Sequence, residues 1–112
     1  MTKGESGEET AAGYLKREGY DILARNVRSR WGEVDIVASR GEELAFVEVK
    51  AWSTLAKENL ARSIDARKQR RIRTTARAFL AGRPELESKR IRFDVIFIPG
   101  GGEAVDHMEG AF

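Results

Sequence analysis

The segment Leu44–Lys50 is the feature that most restricts what this chain can fold into. Residues 44 to 47 are consecutively apolar, so neither face of an extended strand would be polar over this stretch. Such a strand is stable only where both of its faces are covered. We therefore predict a central strand in a sheet that carries helices on both sides.

The flanking segments predict the other elements of the fold. Ser6 and Glu9 fit a capping box, which predicts a first helix from about Gly7 to Glu18, ended by Gly19. The remaining predicted elements are strands at Tyr20–Arg28, Glu33–Ala38 and Ile91–Ile98, and a helix from the N-cap Asp65 to about Ala81. The order α-β-β-β-α-β predicts an α/β fold with a mixed central sheet and flanking helices.

Two stretches are poorly patterned. Ala51–Ile64 is compatible with a short helix or with a mobile loop, and the tail His107–Phe112 ends on an apolar residue that is able to dock onto the core. No repeat or long linker divides the 112 residues, so a single domain over residues 1–112 is expected.

The amino-acid composition excludes several kinds of chemical site and bears on the cellular location. The chain has no cysteine and one histidine, which excludes disulfides, thiolate zinc sites, cysteine nucleophiles and multi-histidine metal sites. No apolar run approaches the roughly 20 residues that cross a bilayer. The first ten residues lack the apolar stretch of a secretory signal, so we expect a cytoplasmic protein without a membrane partner.

The basic residues are concentrated in one segment. The net charge is only +2, yet seven basic residues and one acid lie between Arg62 and Arg77. A positive surface on an otherwise balanced chain is typical of polyanion binding, and a solvated helix face is the alternative.

Asp35, Glu48 and Lys50 form the candidate chemical site. Alternate residues of a strand share a face, so Glu48 and Lys50 point the same way, about 7 Å apart. A hairpin about Arg40 and Gly41 would place Asp35 opposite the neighbourhood of Glu48. Two converging carboxylates suit Mg²⁺, or Mn²⁺ in its place, and an adjacent lysine is suited to orient water and to stabilise charge on a phosphate. The alternative is a surface ion-pair cluster.

Blocks along nearly the whole chain resemble the YraN family of bacterial proteins. The blocks include Leu23–Asn26, Gly32–Asp35, Phe46–Lys50, Asp65–Gln69 and Arg92–Asp94, in the family's order and down to the final Ala111-Phe112. The resemblance implies a restriction-endonuclease-like fold of the PD-(D/E)xK superfamily, near the Holliday-junction resolvases. Val27 departs from the family, where tryptophan is common, and so does the stretch Ala51–Ile64.

The resemblance also implies roles for individual residues. Asp35 and Glu48 would bind the metal together with the Val49 carbonyl, and Lys50 would be the catalytic lysine. Glu8 matches a first-helix acid that reaches such sites, and an acid in a first helical turn is its alternative. Gln69 matches a helix glutamine that borders the site, and an ordinary polar residue is its alternative.

Further expectations concern the surface and the core. Arg67, Lys68, Arg70 and Arg71 would contact phosphates, and Arg25, Arg28 and Arg30 would extend that surface unless they are paired. Core packing is expected for Trp31 and Trp52, with stacking on bases as the alternative. Asp94 is interpreted as the buried partner of an arginine.

These features favour a Mg²⁺-dependent endonuclease that acts on DNA rather than RNA, on branched or damaged structures. The first alternative is a nucleic-acid-binding module without physiological cleavage. The second is an adaptor that binds another protein through strand edges or the apolar tail. Resolvases of this superfamily commonly dimerise, which leaves a homodimer open, although no segment identifies a dimer face.

Overall fold

A computed structural model describes residues 3–52, 64–99 and 105–112 of the protein. These residues form two α-helices and five β-strands, with one short 3₁₀ helix at Pro84–Leu86. In chain order they are α1 (Lys3–Arg17), β1 (Asp21–Arg28), β2 (Glu33–Arg40), β3 (Glu43–Trp52), α2 (Ala66–Ala81), β4 (Arg90–Pro99) and β5 (Asp106–Met108). The predicted stretch Ala51–Ile64 lies largely outside the described residues.

The five strands form one mixed sheet in the order β1-β2-β3-β4-β5. Strands β3 and β4 are parallel, whereas the other three neighbouring pairs are antiparallel. The parallel pair follows from the connection between β3 and β4, which carries α2 across the sheet. The predicted α/β fold with a mixed central sheet is confirmed, and β5 is an additional strand that the sequence did not predict.

The core has two layers, one on each face of the sheet. On one face, Leu44 and Phe46 of β3 pack in a cluster with the buried side of α2, including Ile72 and Phe79. On the other face, Ala45 and Val47 belong to a cluster that contains Ala11 and Leu15 of α1. The expectation that β3 is covered on both sides is therefore confirmed, and this strand holds the two layers together.

The start of α1 differs from the prediction. The helix begins at Lys3 instead of Gly7, so Ser6 lies within the helix and the predicted capping box is wrong. Glu9 instead forms an ion pair with Arg25, with Nη1 2.7 Å from Oε1. Contacts with the sheet override the local capping signal, since Gly7 is buried near Val49.

The ends of both helices otherwise follow the sequence signals. Gly19 adopts a φ of 91°, which terminates α1 in the left-handed conformation that glycine accepts readily. Asp65 is the N-cap of α2, and its Oδ1 accepts a hydrogen bond from the Lys68 N–H at 2.9 Å.

The C-terminal residues close the structure over β4. The ring of Phe112 stacks on Phe93 with centroids 5.4 Å apart, so the prediction that the tail can dock is confirmed. Asp94 is fully buried and accepts hydrogen bonds from Arg92 and from the Gly110 N–H, with His107 Nε2 also 2.7 Å away. This buried network confirms the structural interpretation of Asp94 and fixes the segment that contains β5.

No helix among the described residues is long and apolar enough to cross a membrane.

Candidate metal and nucleic-acid site

The site begins where the ladder between β2 and β3 ends. The last backbone pair in register is Ile36 with Val47. One residue beyond it, Oδ2 of Asp35 accepts a hydrogen bond from the Val49 N–H at 2.7 Å. The carboxylate thus takes the place of a strand carbonyl, which fixes the Asp35 side chain at the end of the paired region.

Asp35 and Glu48 form a hydrogen-bonded carboxyl pair at this strand end. Glu48 is buried, with 8% of its surface exposed. Burial, followed by the hydrogen bond and charge of Glu48, raises the pKa of Asp35 to about 8. Burial also acts to raise the pKa of Glu48, but hydrogen bonds with Asp35 and Lys68 hold it below its ordinary value. The predicted convergence of the two carboxylates is present, and without a cation the pair retains a proton near neutral pH.

Glu8 joins the same cluster from α1. Among the described residues, its Oε1 is a buried side-chain oxygen without a hydrogen-bond partner. The charge of Glu8 also contributes to the raised pKa of Asp35, which places the two acids within electrostatic reach. A buried carboxylate oxygen without a donor is unfavourable, and a cation or its hydrating water would satisfy it.

Two lysines face the carboxyl pair. Nζ of Lys68 lies 2.8 Å from Oε2 of Glu48. Burial acts to lower the pKa of Lys68, but its contacts with Glu48 and Lys50 leave that pKa above its ordinary value. Burial and the neighbouring Lys68 lower the pKa of Lys50. The sequence predicted Lys50 at this position, whereas Lys68 was predicted to bind phosphate.

The donor set fits a hard cation. Within the described residues, no three or more histidine, cysteine, aspartate or glutamate side chains are grouped so that they could hold a metal ion. Two carboxylates held together, with a partnerless Glu8 oxygen nearby, are nevertheless a suitable partial set of ligands for Mg²⁺, which usually keeps several waters. Asp35, Glu48 and the Val49 main chain are therefore the residues that could hold the ion.

A groove of about 400 Å³ opens over Glu48. Its walls carry three of the four cations predicted to contact phosphates, and the remaining one, Arg70, is exposed outside it. The residues that line the groove are Gly32, Glu33, Glu48, Asp65, Arg67, Lys68, Arg71 and Ile72. Three basic and three acidic side chains line this groove, so cations that could meet a phosphate lie beside a carboxylate that could bind a metal ion.

Gln69 is not brought to the carboxylates. Its side-chain Nε2 donates a hydrogen bond to the Ile64 carbonyl at 3.1 Å, and the residue lines a separate cavity of about 50 Å³ beside Phe97 and Met108. The structure therefore gives Gln69 a role in holding the segment before α2 rather than a place in the groove.

The arginines near β1 have mixed partners. Arg25 pairs with Glu9, and Arg28 lies 3.5 Å from Glu33 in an exposed pair. The guanidinium of Arg30 lies 5.6 Å from the centroid of the Trp31 ring. Arg25 and Arg28 are therefore paired with acids, and of these three arginines Arg30 is the one that extends the basic surface.

The fold and this site define an α/β protein with a paired-carboxylate site at the end of a central strand. The chain belongs to the family described as "Uncharacterised protein family UPF0102", whose sequence model matches residues 7–98. The predicted resemblance to the YraN family is thereby confirmed.

Relatives from distant bacteria match almost the entire chain. A UPF0102 protein of Rhodopseudomonas palustris is 44% identical over 109 residues, covering 97% of this chain and 82% of the relative. A UPF0102 protein of Syntrophotalea carbinolica is 42% identical over 114 residues, covering 100% of this chain and 92% of the relative. A UPF0102 protein of Synechococcus is 41% identical over 117 residues, covering 97% of this chain and 89% of the relative.

Proposed function

We propose that this chain is a Mg²⁺-dependent endonuclease, with Mn²⁺ able to replace Mg²⁺, that hydrolyses phosphodiester bonds in branched or damaged DNA. The observation that carries the proposal is the Asp35–Glu48 carboxyl pair at the end of the central strand, beside two lysines and next to a groove lined by Arg67 and Arg71. DNA is preferred over RNA because the resemblance to the YraN family implies a fold near that of the Holliday-junction resolvases.

Asp35 and Glu48 would bind the cation, and the Val49 carbonyl would complete the set of ligands from the protein. Glu8 would reach the cation directly or through water. When bound, the cation supplies Lewis acidity and neutralises charge on the reacting phosphate. Cation binding would also displace the proton that the carboxyl pair shares, because both carboxylates must then be ionised.

Lys50 carries the proposed proton chemistry. Burial lowers the pKa of its ammonium group, so the amine gives up a proton more readily than an exposed lysine does. From the same strand face as Glu48, Lys50 can orient the attacking water and stabilise the charge that develops on the phosphate.

Arg67 and Arg71 carry the proposed contacts with the DNA backbone. Both are exposed and line the groove that leads to Glu48. Contacts of this kind give affinity and register without reading base sequence. The groove therefore supports a nuclease that selects substrates by structure.

The test is cleavage by wild type and by Glu48→Gln. The substrates are four-way junction, single-stranded and duplex DNA with matching RNA, each incubated with Mg²⁺ or Mn²⁺. Glutamine keeps the shape of Glu48 but removes a charged ligand, so cleavage should fall at least about 100-fold. Glu87→Gln is the matched control, because Glu87 is exposed and lies outside the groove. Equal cleavage by wild type and Glu48→Gln would show a contaminating nuclease and reject the proposal.

One observation favours a second function, a nucleic-acid-binding module without cleavage. The 2.8 Å pair with Lys68 already satisfies one Glu48 oxygen without a metal. In that case salt-sensitive DNA binding would survive Asp35→Ala and Glu48→Ala, and no substrate would be cleaved with either cation.

A further inference from the structure

The turn between β1 and β2 presents a large aromatic side chain to solvent. Trp31 has 48% of its surface exposed, so the expectation that it packs in the core is wrong. Single exposed apolar residues are common on proteins, so a function for this indole requires evidence from its surroundings.

The turn that carries Trp31 is held firmly against α2. Oγ of Ser29 accepts hydrogen bonds from the N–H groups of Trp31 at 3.1 Å and Gly32 at 3.3 Å. The same oxygen lies 2.7 Å from Oγ1 of Thr75, which is buried on α2. A Cβ added at Gly32 would lie 3.2 Å from Cβ of Arg71, so only glycine allows this approach without displacement. The backbone beneath the indole is therefore ordered before any ligand binds.

The surroundings of the indole are strongly basic. Trp31 lines a cavity of about 510 Å³ together with Arg28, Arg30 and Arg71, and Glu33 is the one acid in its lining. An aromatic face between guanidinium groups suits a ligand that is both flat and anionic. A nucleotide within a strand has this combination, since its base can stack while its phosphates meet the arginines.

This cavity adjoins the groove at the carboxyl pair. Gly32, Glu33 and Arg71 line both spaces, so one wall runs from Trp31 to the groove that contains Glu48 and Lys68. A strand whose phosphate lies in the groove would therefore bring a neighbouring base to Trp31.

We propose that Trp31 is a stacking platform for an unpaired base beside the reacting phosphate. Within a continuous duplex each base is already stacked on both faces, so the platform selects single-stranded or branched nucleic acid over duplex interiors. This inference rests on the proposed nuclease function for the position of the phosphate, and it names the class of substrate for that site.

The experiment measures binding separately from cleavage. Fluorescence anisotropy of a labelled 20-nucleotide oligo-dT strand and of a blunt 20-base-pair duplex is recorded in EDTA for the full chain. Trp31→Ala should weaken binding of the single strand by between about 5-fold and 100-fold, the range for loss of one base stack. Duplex binding should change less than about 2-fold, and Trp31→Phe should recover most of the affinity because it keeps an aromatic face.

Two control variants separate stacking from other effects. Leu23→Ala removes another exposed apolar side chain, 43% exposed, that lines neither cavity, and it should leave both affinities unchanged. Arg71→Ala should reduce the slope of log affinity against log salt by about one, whereas Trp31→Ala should leave that slope unchanged. Circular dichroism and thermal melting confirm that each variant is folded.

Three results would overturn the platform: an unchanged single-strand affinity in Trp31→Ala, an equal loss on duplex, or a loss that Trp31→Phe does not recover. Failure of the nuclease proposal gives a different result. If wild type cleaves nothing but Trp31→Ala still loses single-strand binding selectively, the platform stands without the chemistry. If cleavage depends on Glu48 and Trp31→Ala binds normally, the chemistry stands without the platform.

Discussion

Asp35→Asn is expected to stabilise the metal-free protein at alkaline pH. Burial and the neighbouring Glu48 raise the pKa of Asp35 from its ordinary 3.8 to about 8. Asparagine is neutral at every pH, its carbonyl can accept the Val49 N–H bond, and its amide can donate to Glu48. The substitution therefore keeps the hydrogen bonds of the protonated pair and removes the cost of ionising it.

The direction of the effect follows because the pKa of Asp35 is higher in the folded protein than in the unfolded chain. The stability that the protonated Asp35 contributes is complete below about pH 4 and is lost as the pH rises through about 8. A gap of about four pH units corresponds to at most about 5–6 kcal/mol. Lys50 and Lys68 partly neutralise the ionised pair, so we expect wild type to lose about 2–3 kcal/mol relative to Asp35→Asn between pH 5 and pH 8.5.

Urea denaturation in EDTA at these two pH values measures the difference. Asp21→Asn is the matched control, since Asp21 is exposed on β1, and it should follow wild type. Added Mg²⁺ should restore wild type at pH 8.5, by about 2.7 kcal/mol at 100 times its dissociation constant, and should have little effect on Asp35→Asn. Parallel pH profiles for wild type and Asp35→Asn would refute the reasoning, and so would equal stabilisation of both by Mg²⁺.

Two further substitutions test the surrounding contacts. Lys68→Met removes the cation that competes for Glu48, so Mn²⁺ affinity measured by calorimetry should rise about 2- to 10-fold; an unchanged or lower affinity would contradict this. Asp94→Asn removes the buried carboxylate of the Arg92 network, although Glu43 and Glu109 still pair with Arg92, so it should cost about 1–3 kcal/mol of unfolding free energy in urea at pH 7. His107 and Arg92 hold the pKa of Asp94 below its ordinary value, so this stability is present above about pH 4 and is lost as the pH falls further. A loss under about 1 kcal/mol at pH 7 would reject the role given to Asp94.

The parts of the fold that the sequence predicted correctly are those with local signals. The covering of β3 on both faces could be predicted because Leu44 to Val47 leave no polar face. Both core layers contain residues of that strand. Gly41 at the β2–β3 turn set the hairpin register, which placed Asp35 beside Glu48. The position of the turn and the alternation of side chains along each strand were therefore sufficient to predict that these two carboxylates lie together.

The parts that the sequence did not predict depend on how the elements approach one another. Lys68 meets Glu48 because the N-terminal turn of α2 lies over the end of β3, which no residue pattern in α2 reveals. Gln69 turns away from the groove to the Ile64 carbonyl for the same reason. Trp31 was expected in the core but is exposed, and its position depends on the docking of its turn on Thr75 of α2, which no local pattern reveals. The three-residue strand β5 is too short to carry an alternating pattern.

The most direct test of the central claim is crystallographic. Crystals soaked in Mn²⁺ at pH 8 and measured at the manganese absorption edge locate any bound ion by its anomalous signal. We expect a peak between the carboxylates of Asp35 and Glu48, with the Lys68 ammonium displaced from Glu48. Absence of that peak, with the 2.8 Å pair of Glu48 and Lys68 intact, would contradict the metal site and leave an ion-pair cluster in its place.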